Sequence, residues 1–158
     1  MRQRLPAHVR YLCDSEVRVA GGLRVYGTGY SPSRRGGSNR AFQPSSARAA
    51  RRKLAAIPTG LDVLVTHGSP LLQGAHFGFK PPPWNSKQTE FGCRELMETV
   101  LRRVQPRVHL FGHIHEAHGA LRRGNTLFVA GSTVSSHLVT ATHPPIVFDL
   151  PPRSAAAQ

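Results

Sequence analysis

Twice the chain places a histidine directly after a short, densely apolar run, and this pair of segments limits its possible folds more than any other feature. In the first, Leu61, Val63, Leu64 and Val65 lead into Thr66, His67, Gly68, Ser69 and Pro70. In the second, Val108 to Phe111 runs straight into Gly112, His113, Ile114, His115 and Glu116. A compact β-branched run closed by turn formers is the pattern of a buried strand delivering a loop, as in the interior of a parallel sheet. Adjacent parallel strands would present both histidine loops on one rim, where a rigid sheet commonly holds a site.

The rest of the chain supplies elements to pack around those strands. Leu96, Met97, Val100, Leu101 and Val104 recur at helical spacing over Cys93 to Val104, with Gly92 placed to cap and Pro106 to end the element. Ala47 to Ile57 is rich in helix formers, puts Ala50, Leu54 and Ile57 on one face, and stops at Pro58 to Gly60. Glu16 to Tyr26 reads as two short strands around Gly21 and Gly22. Leu121, Leu127 to Ala130 and Ile146 to Leu150 read as further strands, while Gly29 to Ser46 and Leu71 to Lys87 read as loops. Strand, helix, strand in the middle with strands at both ends predicts a layered α/β fold.

With 158 residues the chain has room for one domain and one ordinary core. Residues 1–10 are expected to be a poorly ordered basic N-terminus and residues 153–158 a disordered tail. Cys13 and Cys93 have no zinc-knuckle or disulfide-scaffold spacing, which fits a reducing compartment. The first ten residues are basic with no apolar stretch behind them, so the expectation is a cytoplasmic protein with no membrane partner. The formal net charge of +13 comes mostly from arginine and attracts polyanions. Basic residues cluster at Arg34 and Arg35, Arg51 to Lys53, Arg102 and Arg103, and Arg122 and Arg123, which reads first as solvated surface. Nucleic-acid binding through that surface lacks a supporting motif: there is no basic helix with interleaved aromatics, RNP-like strand or finger spacing.

His113 and His115 stand two apart, so both imidazoles can converge on one centre or on two adjacent ones. Gly112 leaves room for a metal or phosphate to approach the backbone. Neutral imidazole suits zinc, iron, manganese or nickel. An isolated His-x-His equally describes histidines that merely hydrogen-bond, and His67 at the end of a separate strand is what favours a site. His109, inside an apolar strand, reads as a packed core residue. His76, His118, His137 and His143 read as loop or rim residues, His118 being the one placed to approach a substrate. Glu116 has equal claims as an acceptor orienting a ligand histidine and as a solvent-facing carboxylate.

The stretch Asp62 to Pro70 (DVLVTHGSP), then a helix, then His109 to Gly119 (HLFGHIHEAHG) resembles the downstream ligand motifs of calcineurin-like metallophosphoesterases. It is especially similar to the subgroup related to the mammalian brain-expressed metallophosphoesterase-domain proteins. Tyr11 to Pro32, Ala41 to Pro70 and His143 to Pro151 extend the likeness over most of residues 11–152. The resemblance implies a layered β-sandwich flanked by helices, of which residues 11–152 would be a C-terminal portion lacking the N-terminal strands. It implies two divalent metal ions (Mn, Fe or Zn), with His67 and His113 on one and His115 on the other, and Gly112 and His118 facing a phosphoester substrate. Subgroup likeness alone points to phosphodiesters such as cyclic nucleotides.

The family's pattern begins with Asp-x-His, Gly-Asp and Gly-Asn-His, and none of these stands upstream of Tyr11. They would supply the bridging carboxylate, further ligands and the proton-donating histidine. Three neutral imidazoles alone carry no charge to offset two dications, so weak metal binding by this chain is expected. A non-catalytic remnant that binds phosphate or nucleic acid is therefore the alternative to an enzyme, and a native protein longer than this chain is a third reading. An unpaired sheet edge beside the strands that end at His67 and His113 is expected as well, and with it self-association.

Overall fold

A computed structural model describes residue 6 and residues 8–32, 41–73, 90–134 and 141–152. The expectations for the 153–158 tail, most of residues 1–10, the centres of both long loops, His76 and His137 lie outside the described residues. Within them, β1 (Ser15–Arg18) turns through a short helical turn at Ala20–Gly22 into β2 (Arg24–Thr28), the hairpin anticipated around Gly21 and Gly22. Both glycines adopt positive φ there, which side chains resist.

Helix α1 (Ala47–Ala56) starts where the Ser46 hydroxyl accepts the Ala49 N–H at 3.1 Å. Strand β3 (Val63–Thr66) follows, then β4 (Leu72–Gln73) and β5 (Glu90–Phe91), which pair with each other. Helix α2 (Arg94–Thr99) is capped by Cys93, rather than by Gly92, and runs on through a π-helical turn at Val100–Val104. Strands β6 (Val108–Phe111), β7 (His118–Arg123) and β8 (Thr126–Gly131) complete the elements.

Six strands form one sheet in the order β1-β2-β3-β6-β8-β7, with β2, β3, β6 and β8 mutually parallel and the two edge strands antiparallel. The α/β class is therefore as read. The unpaired edge expected beside β3 and β6 is corrected: both are interior strands with a neighbour on each side. The edges are instead the short β1, carrying Glu16 and Arg18, and β7, ending in Arg122 and Arg123, and charges there oppose edge-to-edge pairing.

One row of the sheet, Tyr26, Leu64, His109 and Phe128, is buried under the helices, against Leu54, Ile57, Leu96, Met97, Val100 and Val104. Burying a Leu or Ile of this kind stabilises by about 1.5–3 kcal/mol. Arg103 fastens the two helices together, donating to the Leu54 and Ile57 carbonyls at 2.7 and 2.8 Å where α1 ends.

The opposite face carries Val25, Val63, Val65, Leu110 and Leu127, all half-buried. The C-terminal segment reaches this side: Asp149, Leu150 and Pro151 border a cavity with Val108 and Leu127, and Arg107 donates to the Pro151 carbonyl at 2.7 Å. The sequence predicts a strand over Ile146 to Leu150. Its alternation is real, because Ile146, Phe148 and Leu150 are half-buried while Val147 and Asp149 are exposed, but its backbone joins no ladder. A period of two follows from an extended backbone, whether or not a neighbouring strand pairs with it.

Candidate metal centre

The parallel register brings the C-terminal ends of β2, β3, β6 and β8 to a single rim. His67 leaves β3 and Gly112 and His113 leave β6, and the Gly112 N–H donates to the His67 carbonyl at 3.3 Å. His67 Nε2 and His113 Nδ1 lie 3.2 Å apart, with their rings edge to face. His113 sits at φ 72°, the left-handed region that a residue with a side chain enters at an energetic cost. Burial first, and then the neighbouring His67 and His115, push the His113 imidazole below the usual histidine range, so it remains neutral and able to act as a ligand.

The loop after β3 is held tightly. Gly68 donates to the Tyr30 carbonyl at 2.7 Å, and a Cβ at Gly68 would stand 2.9 Å from that oxygen and 2.7 Å from Pro32. Cys93 donates to the Ser69 carbonyl and Leu71 to the Cys93 carbonyl, both at 3.0 Å, tying the loop to the start of α2. Gly92 makes this approach possible: it adopts φ 98°, and a Cβ there would meet the Pro70 carbonyl oxygen at 2.1 Å.

His115 is half-buried and near enough to influence His113, yet no His, Cys, Asp or Glu joins the pair to make a group of three among the described residues. Gly112 has no demanding φ, and a Cβ there would sit 3.9 Å from Ser132 Oγ in ordinary contact, so the backbone is open on that side. His118 stands apart from the pair, its ring stacked on His143 with centroids 4.6 Å apart. Both rings direct Nδ1 at the Ser132 carbonyl, at 3.1 and 2.8 Å, and a carbonyl can only accept, so each Nδ1 carries the proton. That partnership spans 25 positions of sequence and no local pattern announces it. His109 is fully buried, as read.

Two nitrogens that bind one ion at about 2.0–2.1 Å with a near-tetrahedral angle stand roughly 3.3 Å apart. The 3.2 Å between His67 and His113 fits two ligands of a single ion. Without metal, the two nitrogens share one N–H···N proton, the proton that a cation would displace. The described residues thus fit part of a centre: His67 and His113 suit one ion, and no third His, Cys, Asp or Glu completes a group with them among the described residues.

The fold and rim define an α/β protein that presents a close imidazole pair from the ends of adjacent parallel strands. Over almost its whole length the chain is similar to metallophosphoesterase domain-containing proteins. Metallophosphoesterase domain-containing protein 1 of Homo sapiens and of Mus musculus is 42% identical over 155 residues, covering 97% of this chain and 44% of the relative. A UPF0046 protein of Caenorhabditis elegans is 34% identical over 154 residues, covering 93% of this chain and 49% of its own length. This chain therefore spans a little under half the length of those relatives. No protein-family model matches it. A chain in a solved crystal structure shares the fold at a TM-score of 0.53 and 20% identity, over 78% of this chain and 46% of its own. No helix among the described residues is long and apolar enough to cross a membrane.

Proposed function

We propose that this chain carries the imidazole half of a metal-dependent phosphoesterase centre that hydrolyses phosphodiesters, within the layered sandwich fold the family resemblance implies. The observation behind this reading is the 3.2 Å approach of His67 and His113 from neighbouring parallel strands. In it, His67 and His113 hold one divalent ion, manganese, iron or zinc, and His115 serves a second. When bound, such ions polarise phosphoryl oxygens and lower the pKa of a shared water toward roughly 7. The chain's own part is to hold the His113 imidazole neutral beside His67, to keep the backbone at Gly112 open to a phosphoryl group, and to offer His118 to the substrate.

Phosphate binding without hydrolysis is the second reading, supported by the net charge of +13 and by the incomplete ligand group among the described residues. Both are tested by measuring bound metal and the hydrolysis of bis-p-nitrophenyl phosphate with added manganese, in the wild type and in His113→Ala. The expected result is loss of metal and a fall in rate of at least about 100-fold in the variant, since removing a ligand itself costs no less than the upper end seen on losing one of its outer partners. Equal rates in the two proteins would overturn the enzyme reading, and phosphate binding with no turnover would establish the second.

A further inference from the structure

His109 is wholly buried between the rings of Phe111 and Phe128, where an apolar side chain would leave no polar atom to satisfy. Its Nδ1 has no hydrogen-bond partner among the described residues, and its Nε2 lies 3.0 Å from Thr66 Oγ1. Thr66 donates its single hydroxyl proton to the Gly68 carbonyl at 2.7 Å. With that proton committed, the hydroxyl can only accept from His109, so Nε2 carries the ring proton and Nδ1 is the bare, unpaired atom. An orphaned buried acceptor lowers stability, and such a cost persists where the partnered atom does something useful.

We infer that His109 and Thr66 are positioning residues for His67, acting through the chain His109 Nε2–H to Thr66 Oγ1–H to the Gly68 carbonyl. The two residues flanking His67 are thereby fixed by side chains from below, while the Gly68 N–H is held by Tyr30 from the side. His67 itself is exposed, and its ring contact is with His113, so its aim depends on the peptide on either side. Outer partners of this kind orient a ligand imidazole without touching the ion. The inference rests on the reading of His67 and His113 as a ligand pair.

The test titrates zinc alone, by calorimetry at neutral pH, into the wild type, Thr66→Val, Thr66→Ser and His109→Phe, each first shown to unfold cooperatively in urea. Thr66→Val preserves shape and removes the hydroxyl, whereas Thr66→Ser restores it. The expected result is an affinity about 10–100-fold weaker in Thr66→Val and His109→Phe, with the wild-type value kept in Thr66→Ser. Wild-type affinity in Thr66→Val, or an equal fall in Thr66→Ser, would overturn the inference. In the metal-free chain, the proton NMR cross-peak between the His67 and His113 rings should vanish in Thr66→Val and survive in Thr66→Ser. An unchanged cross-peak in Thr66→Val would also overturn it. If the wild type takes up no zinc, the metal reading fails by itself and the cross-peak still decides the positioning role.

Discussion

Between pH 6.5 and pH 3 the chain is expected to lose about 4–5 kcal/mol of folding stability through His109 alone. Complete burial pushes its imidazole from an ordinary value of 6.5 down to about 3 in the folded state. Within that window the unfolded chain binds the proton and the folded chain does not, so stability is fully present above the unfolded value and falls as pH drops toward the folded one. At about 1.36 kcal/mol per unit, 3.5 units give the stated loss. His113, also depressed by burial, acts in the same direction. The lowered carboxyls of Asp14 and Glu16 act below their ordinary values of 3.8 and 4.5, so the region from pH 6.5 to 5 isolates the histidines. Urea unfolding across that region should show a slope of at least about 1 kcal/mol per pH unit, and His109→Phe should remove most of it. A slope unchanged by the substitution would refute the assignment.

Asp62→Ala is expected to destabilise the fold by about 3–5 kcal/mol, nearer the lower figure because Arg107 is partly exposed. Asp62 is completely buried just before β3, at the end of the sheet remote from the histidines. One carboxylate oxygen accepts the Arg24 backbone N–H at 2.8 Å and the other accepts Arg107 Nη1 at 3.1 Å. Its main chain donates to the Arg24 carbonyl and accepts from Val108, so one residue joins β2, β3 and β6 where they begin. Deleting the carboxylate leaves a peptide N–H without its acceptor and a guanidinium without its counter-charge. Arg107 also grips Pro151, so the C-terminal segment should loosen with it. The check is the urea midpoint of Asp62→Ala against wild type, with Asp62→Asn, which keeps an acceptor, falling between. A change below about 1 kcal/mol would show that the buried pair contributes little.

Much of the fold was legible because its signals are local. The β-branched runs at Val63 to Thr66 and Val108 to Phe111 are the central strands, and the apolar spacing of Leu96, Met97, Val100 and Val104 marks the helix packed on them. The shared rim was legible too, since two buried strands of that kind are compatible with a parallel sheet and parallel strands end together. The C-terminal alternation at Ile146 to Leu150 gave the correct exposure pattern and the wrong element. Ladder formation depends on which backbone lies alongside, and that is settled by residues far away in the chain.

By itself, then, the sequence determined which segments extend, which coil, and that His67 and His113 leave from strand ends. Tertiary structure decided which imidazoles meet. Sequence spacing left His113 and His115 able to share one centre or to serve two, and only the family resemblance put His113 with His67; in the fold His113 leaves the extended backbone at φ 72°, which ends the two-residue alternation, and its hydrogen-bonded partner is His67, 46 positions away. His118 likewise meets His143, and His109 meets Thr66. Periodicity is a property of one segment's backbone, whereas side-chain partnership is set by strand order and register, which no single segment encodes.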